Sequence, residues 1–156
     1  MADWLRKITD NPGDLVPIAN AIAYYETIYI DGLARLDPKG TLWDTAKALP
    51  GWQAYFYGAY REIEAIIEHL KNREAKAFGI ALKLYLENYT GRALTETTAR
   101  RYAEADSAVL EAKELQIEFK LLFQKFAGLT KGLESLHFQM TNLVALRKAG
   151  IEDASF

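Results

Sequence analysis

No cysteine occurs anywhere in this 156-residue chain. That absence removes a disulfide framework, thiolate zinc sites and cysteine nucleophiles together, and it fits a reducing cytoplasm. Nor does any run approach the ~20 apolar residues that a membrane span requires. The opening stretch, MADWLRKITDNPGD, puts charge and turn residues where a secretory signal would carry its apolar core. The expectation is a soluble protein of the cytoplasm, without membrane partners. A dominant charge is missing too: 19 Lys and Arg face 21 Asp and Glu, for a formal net charge of −2. Global electrostatics therefore offers nothing to a polyanion, and any nucleic-acid contact has to rest on a local basic stripe.

Enzyme signatures are equally scarce. No H-E-x-x-H, G-x-S-x-G, phosphate-binding loop or dinucleotide fingerprint appears. Glu134 and His137 form one Glu-x-x-His unit, but a di-iron bundle site needs two such units and two further glutamates. His69 follows Glu68 directly, which is the wrong spacing. Neither enzymatic activity nor a cofactor or metal is expected.

What the chain has is apolar periodicity. Half its residues are hydrophobic and 26% are charged, the composition of a globular domain rather than a disordered one. Its length predicts a single domain, 1–156. Gly and Pro punctuate it at Asn11-Pro12-Gly13-Asp14, at Asp37-Pro38-Lys39-Gly40, at Leu49-Pro50-Gly51 and at Gly91. Short N-terminal helices are expected over 1–50. One of them covers 15–35, with Asp14 as its N-cap; a strand is the alternative around Tyr24, Tyr25, Ile28, Tyr29 and Ile30. A long helix is expected over 51–90, where Phe56, Tyr60, Ile63, Ile67, Leu70, Ala77, Ala81 and Leu84 recur by threes and fours, with Glu74 the one charged interruption.

A second long helix is expected over 95–150, capped by Thr95 and ended by Gly150. Its stripe runs through Ala105, Ala108, Ala112, Leu115, Phe119, Leu122, Phe126, Leu129, Leu133, Leu136, Met140 and Leu143. Gly128 and Gly132 each weaken a helix by about 1 kcal/mol relative to alanine, so a kink is expected near them. A helix of some fifty residues is about 80 Å long, whereas a compact domain of this size has a radius of gyration near 15 Å. The expected fold is therefore all-α: a long helical hairpin whose seam is completed by other subunits in a multi-subunit ring or bundle, with left-handed supercoiling. In that reading Leu115, Phe119, Leu122, Phe126, Leu129, Leu133, Leu136, Met140 and Leu143 form the oligomerisation surface, and the N-terminal helices cover the hairpin's flank.

The stretch ALKLYLENYTGR, 81–92, carries the candidate chemistry. Arg73, Lys76 and Lys83 fall near one line of the first long helix. Arg92 lies just past its end, and Arg100 and Arg101 open the next helix. Tyr85 and Tyr89, at i and i+4, sit beside these cations. Aromatic faces next to phosphate-binding cations are the equipment of sequence-tolerant single-strand binders; the same spacing also describes a solvated helix face closed by packed tyrosines.

The run Ala81-Leu82-Lys83-x-x-Leu86-Glu87-x-Tyr89-Thr90-Gly91-Arg92, followed by Arg101-Tyr102, a leucine-rich helix and Arg147-Lys148-Ala149-Gly150, resembles the phage recombination mediator family typified by UvsY. The resemblance covers roughly residues 70–150. It implies a ring-forming helical protein that binds single-stranded DNA and helps load a phage recombinase in place of a single-strand-binding protein. Lys83 matches one of the family's basic DNA-contacting positions; the second is Tyr85 here, which exchanges a phosphate contact for a stacking surface. The alternative is a non-enzymatic structural or adaptor bundle that binds no DNA.

Overall fold

Two helices account for more than half of the molecule. The computed structural model describes residues 3–37, 39–87 and 94–150, and among them there is no strand. Five helices follow in order: α1 (Trp4–Asp10), α2 (Val16–Leu36), α3 (Leu42–Glu87), α4 (Glu96–Glu104) and α5 (Ser107–Lys148). With 46 and 42 residues, α3 and α5 are about 69 and 63 Å long. They lie antiparallel. Gln53 Nε2 donates to the Leu133 carbonyl, Tyr60 stacks on Phe123, and Gln116 Nε2 donates to the Leu70 carbonyl.

Several boundaries differ from the expectation, each for a local reason. The Leu49-Pro50-Gly51 break does not form; α3 continues through Pro50. Thr45 and Leu49, on either side of the lost hydrogen bond, are buried, and their packing holds the turn in helical geometry. Ala46, whose carbonyl loses its donor, is exposed and open to water. Conversely, the single helix expected over 95–150 is two. Asp106 adopts extended backbone (φ −64°, ψ 139°), and its carboxylate accepts from the Ala108 amide, so it N-caps a new helix. Ala105 and Ala108, placed on the stripe by periodicity, are consequently exposed.

α5 is one continuous helix through both Gly128 and Gly132, so the chain does not break there. Asp14 accepts from the Val16 amide at 2.9 Å, yet the cap position itself is Leu15. The strand alternative at 24–30 is excluded by the helix there.

α2 runs parallel to α5 and antiparallel to α3. Its contacts advance in step with α5: Lys125 Nζ meets Glu26 Oε1 at 2.6 Å, Tyr29 tilts against Phe126 at 6.0 Å, and Gly32 and Leu36 reach Leu129 and Gly132. α1 closes the end of this third layer. The Glu62 carboxylate of α3 accepts from the Trp4 and Leu5 amides at 2.7 and 3.3 Å, pairing two donors that a helix start leaves free.

One core results, built from Ile8, Ile18, Tyr25 and Ile28 of the N-terminal helices, from α3 between Leu49 and Leu70, and from α5 between Phe119 and Met140. Here the main expectation needs correcting. Phe119, Leu122, Phe126, Leu129, Leu133 and Met140 are buried against helices of the same chain, and Leu115, Leu136 and Leu143 are partly covered. The stripe does not need other subunits to hide it, because α1 and α2 fill the flank that a bare hairpin would leave open. α3 can serve both neighbours because it has a second apolar line, Ala59 and Ile66, beside the one at Phe56, Ile63 and Leu70.

Candidate nucleic-acid interface

Beyond Leu70 and Phe119 there is no third layer among the described residues, and the hairpin continues as an arm two layers thick, α3 on one side and α4 with the start of α5 on the other. It comprises residues 71–87 of α3, α4, and the start of α5. Its buried residues are small or polar: Ala81, Ala99, Ala103, Val109, Ala112 and Gln116. Small side chains let two backbones approach closely but bury little apolar area, so polar pairs reinforce the join. Gln116 bonds Glu74 at 2.6 Å, Arg73 reaches Glu111 at 3.4 Å, and Lys113 reaches Glu74 at 3.9 Å. At the far end Tyr85 of α3 meets Tyr102 of α4, with ring centroids 5.7 Å apart and planes inclined at 36°. Thr95 caps α4, its hydroxyl accepting from the Thr98 amide.

Those sequence-selected residues that are described, Arg73, Lys76, Lys83, Tyr85, Arg100 and Arg101, are on this arm, but not as one cationic surface. Arg73 is three-quarters covered and tied to Glu111. Arg100 is held by Glu96, whose Oε1 accepts from Nε at 3.1 Å and from an Nη at 2.9 Å. Lys83 projects into solvent and comes within 3.9 Å of Glu87. Lys76 and Arg101 are exposed and have no ion-pair partner among the described residues. Tyr85 is partly covered, while Tyr102, which sequence reasoning used only as part of a motif, presents nearly half its surface. Tyr89 and Arg92 lie outside the described residues. Over 71–87 and 94–115 the chain carries seven Lys and Arg and seven Asp and Glu.

Apolar surface accompanies these charges. Ile80 and Leu84, at i and i+4 on α3, are both at least half exposed, and Leu86 nearly so. On the outward side of α5, Leu110, Ile117 and Leu121 are about half exposed, and their spacing by seven and four aligns them along one ridge. Periodicity counts hid this ridge, because the stronger inward stripe of the same helix dominated the pattern.

Elsewhere, two titrating groups are displaced. Burial, with the Glu62 carboxylate close by, pushes the Tyr25 phenol well above its ordinary range, and its hydroxyl has no bonding partner among the described residues. Burial, with Tyr24 alongside, pushes Tyr55 up to about 12. Both belong to the three-layer part of the molecule and not to the arm. Among the described residues no three of His, Asp and Glu converge as metal ligands, and no helix is long and apolar enough to cross a membrane.

Comparison with known proteins returned no match to a family model, to a curated protein or to a solved structure.

Proposed function

We infer that the chain is a non-enzymatic, homo-oligomeric mediator that holds single-stranded DNA on its two-layer arm and helps a phage recombinase replace a single-strand-binding protein there. The observation that supports this most is the placement of Lys76, Lys83 and Arg101, all solvent-facing, on the same short arm as the Tyr85–Tyr102 ring pair. Cations for phosphates beside ring faces for bases are what a sequence-tolerant single-strand site needs. The resemblance over 81–92 supplies the rest of the reading, adding Arg92 and Tyr89 and the recombinase and single-strand-binding partners. Assembly runs through the outer ridge of α5, Leu110, Ile117 and Leu121, since the inner stripe is already occupied. Several copies then combine weak local sites into one of useful avidity, as a chain of charge −2 requires.

The test is a salt titration of binding to a labelled oligothymidine, followed by anisotropy. Each phosphate neutralised on a single strand contributes about −0.7 to the slope of log K against log salt. Replacing Lys76, Lys83 and Arg101 together by alanine flattens that slope by about 2 units per protomer engaged. Equal binding by the triple variant and the parent overturns the reading.

A second reading, an adaptor or structural bundle without DNA binding, is favoured by the charge parity of the arm and by the ion pairs at Arg73 and Arg100. It predicts the same ridge-mediated assembly and no binding even at low salt.

A further inference from the structure

A groove of about 300 Å³ opens between α3 and α5, well away from the arm, lined by Gln53, Ala54, Tyr57, Thr130 and Glu134. None of these residues belongs to α1 or α2, so the groove is on a side of the hairpin that those helices leave uncovered. Its volume is at the lower end for a site that encloses a small ligand or one long side chain.

The hydrogen-bonding inventory of the lining is lopsided. One hydrogen of the Gln53 amide is spent on the Leu133 carbonyl at 3.3 Å, which leaves the side-chain oxygen and a single N–H as its available groups. The Thr130 hydroxyl hydrogen is shared between the Phe126 and Ala127 carbonyls, both at 3.0 Å, so Thr130 has only lone pairs to offer. Glu134, acceptor-only when ionised, has no ion-pair partner among the described residues. Tyr57 contributes a ring that is more than half exposed. Three acceptors, one of them charged, line the groove with an aromatic ring, against two side-chain donors, the Tyr57 phenol and the remaining N–H of Gln53.

We propose that this groove receives an arginine side chain presented by a partner protein. A guanidinium is all donor, carries a full charge, pairs its planar fork with a carboxylate and stacks on an aromatic ring. The acceptors of the lining find their complement: Glu134 takes the fork, the Gln53 oxygen and Thr130 accept the remaining N–H groups, Tyr57 covers the plane, and Ala54 leaves room for the methylene stem, while the Gln53 N–H and the Tyr57 hydroxyl stay with solvent. A lysine ammonium brings the charge but neither the fork nor the plane. The site is independent of the nucleic-acid reading, being on another part of the hairpin and of opposite electrostatic sense.

The experiment titrates the intact ¹⁵N-labelled protein with acetyl-arginine-amide, acetyl-lysine-amide and the uncharged isostere acetyl-citrulline-amide, following the Gln53 side-chain amide and the 130–134 backbone amides. Arginine is expected to give saturable shifts in the millimolar range, lysine weaker ones, and citrulline none that saturate. Glu134→Gln weakens the arginine affinity by about tenfold or more, the loss of one charge-assisted pair, and Tyr57→Leu weakens it several-fold. Both residues are at the surface and their variants keep the parent circular dichroism spectrum. Equal shifts with arginine and citrulline, stronger binding of lysine, or an unchanged affinity in Glu134→Gln each overturn the proposal.

Discussion

Gly32 of α2 faces Leu129 of α5 so closely that a methyl group on the glycine would overlap the leucine Cδ2. One turn along, the relationship is reversed: Gly132 of α5 receives Leu36 of α2, and a methyl there would meet Leu36 Cδ2 at 2.9 Å. Each helix thus offers one notch and one knob. Alanine at position 32 also meets Phe56 at 3.0 Å, so the ring and the leucine must both move. Gly32→Ala is expected to cost about 1–3 kcal/mol by overpacking. Gly128→Ala, where nothing lies within 4 Å of the added methyl, is expected to gain about 0.5–1 kcal/mol from helix propensity. Urea denaturation of the two variants checks the pair, and the same sign for both would contradict the packing described.

Pro50 is exposed inside a continuous helix and has no N–H to donate to the Ala46 carbonyl. Pro50→Ala restores the donor and relieves the clash with that carbonyl, and should raise stability by up to about 3 kcal/mol. Calorimetry of the variant reads this as a higher Tm. A fall in Tm would mean that the core depends on a bend at this residue.

Tyr25 packs edge-on against Phe126, with ring centroids 6.1 Å apart, while its buried hydroxyl lacks a partner among the described residues. Because burial raises its folded-state pKa, the neutral phenol is the folded form. Its contribution to stability is intact below the unfolded-state pKa near 10 and declines as pH rises beyond it, since the unfolded chain ionises first. Tyr25→Phe keeps the ring contact and removes both the orphan hydroxyl and this titration. The variant is expected to equal or exceed the parent by up to about 1 kcal/mol at pH 7. Above pH 10 its alkaline unfolding should be shallower, as measured by denaturation at stepped pH.

Glu96 and Glu87 restrain Arg100 and Lys83 through surface ion pairs. Such pairs add little to folding, but they neutralise cations that a nucleic acid would otherwise use. Glu96→Gln with Glu87→Gln should therefore tighten oligonucleotide binding and steepen its salt slope by about 0.7 for each cation released. The parent's stability should stay within about 0.5 kcal/mol. A double variant that binds no better than the parent favours the adaptor reading.

Much of the architecture could be read from spacing alone. The all-helical class, the α2 segment, and the two long helices packing against each other all follow from threes and fours in the apolar pattern, and most of the α5 core residues were on the predicted stripe. What failed was local. Pro50-Gly51 is a breaker in isolation, yet burial of Thr45 and Leu49 overrides it. Asp106 was a legible cap signal, lost because the alanines around it extend the same periodicity through the break. Gln116 takes a core position that a purely apolar template assigns to Leu115 alone, because its amide has Glu74 and the Leu70 carbonyl to bond. Helix length set against domain radius points the α5 stripe outward, yet one chain covers most of it, because α1 and α2 lie alongside. For the candidate site, the cations were found but their carboxylate partners were not, since pairs across helices such as Arg73 and Glu111 have no fixed sequence separation.

The absence of a third layer among the described residues beyond Leu70 and Phe119 divides one rigid-looking rod into two thermodynamic provinces. Amides on the inner span should exchange with solvent only when the whole chain opens, whereas those on the alanine-lined extension can exchange through partial separation of two layers of helix that share little apolar area. Anything that settles on that extension, whether a polymer of phosphates or another protein, acquires a platform whose order it must help to maintain. Binding there should show itself first as slowed exchange at the tip, with the midpoint of global melting scarcely displaced.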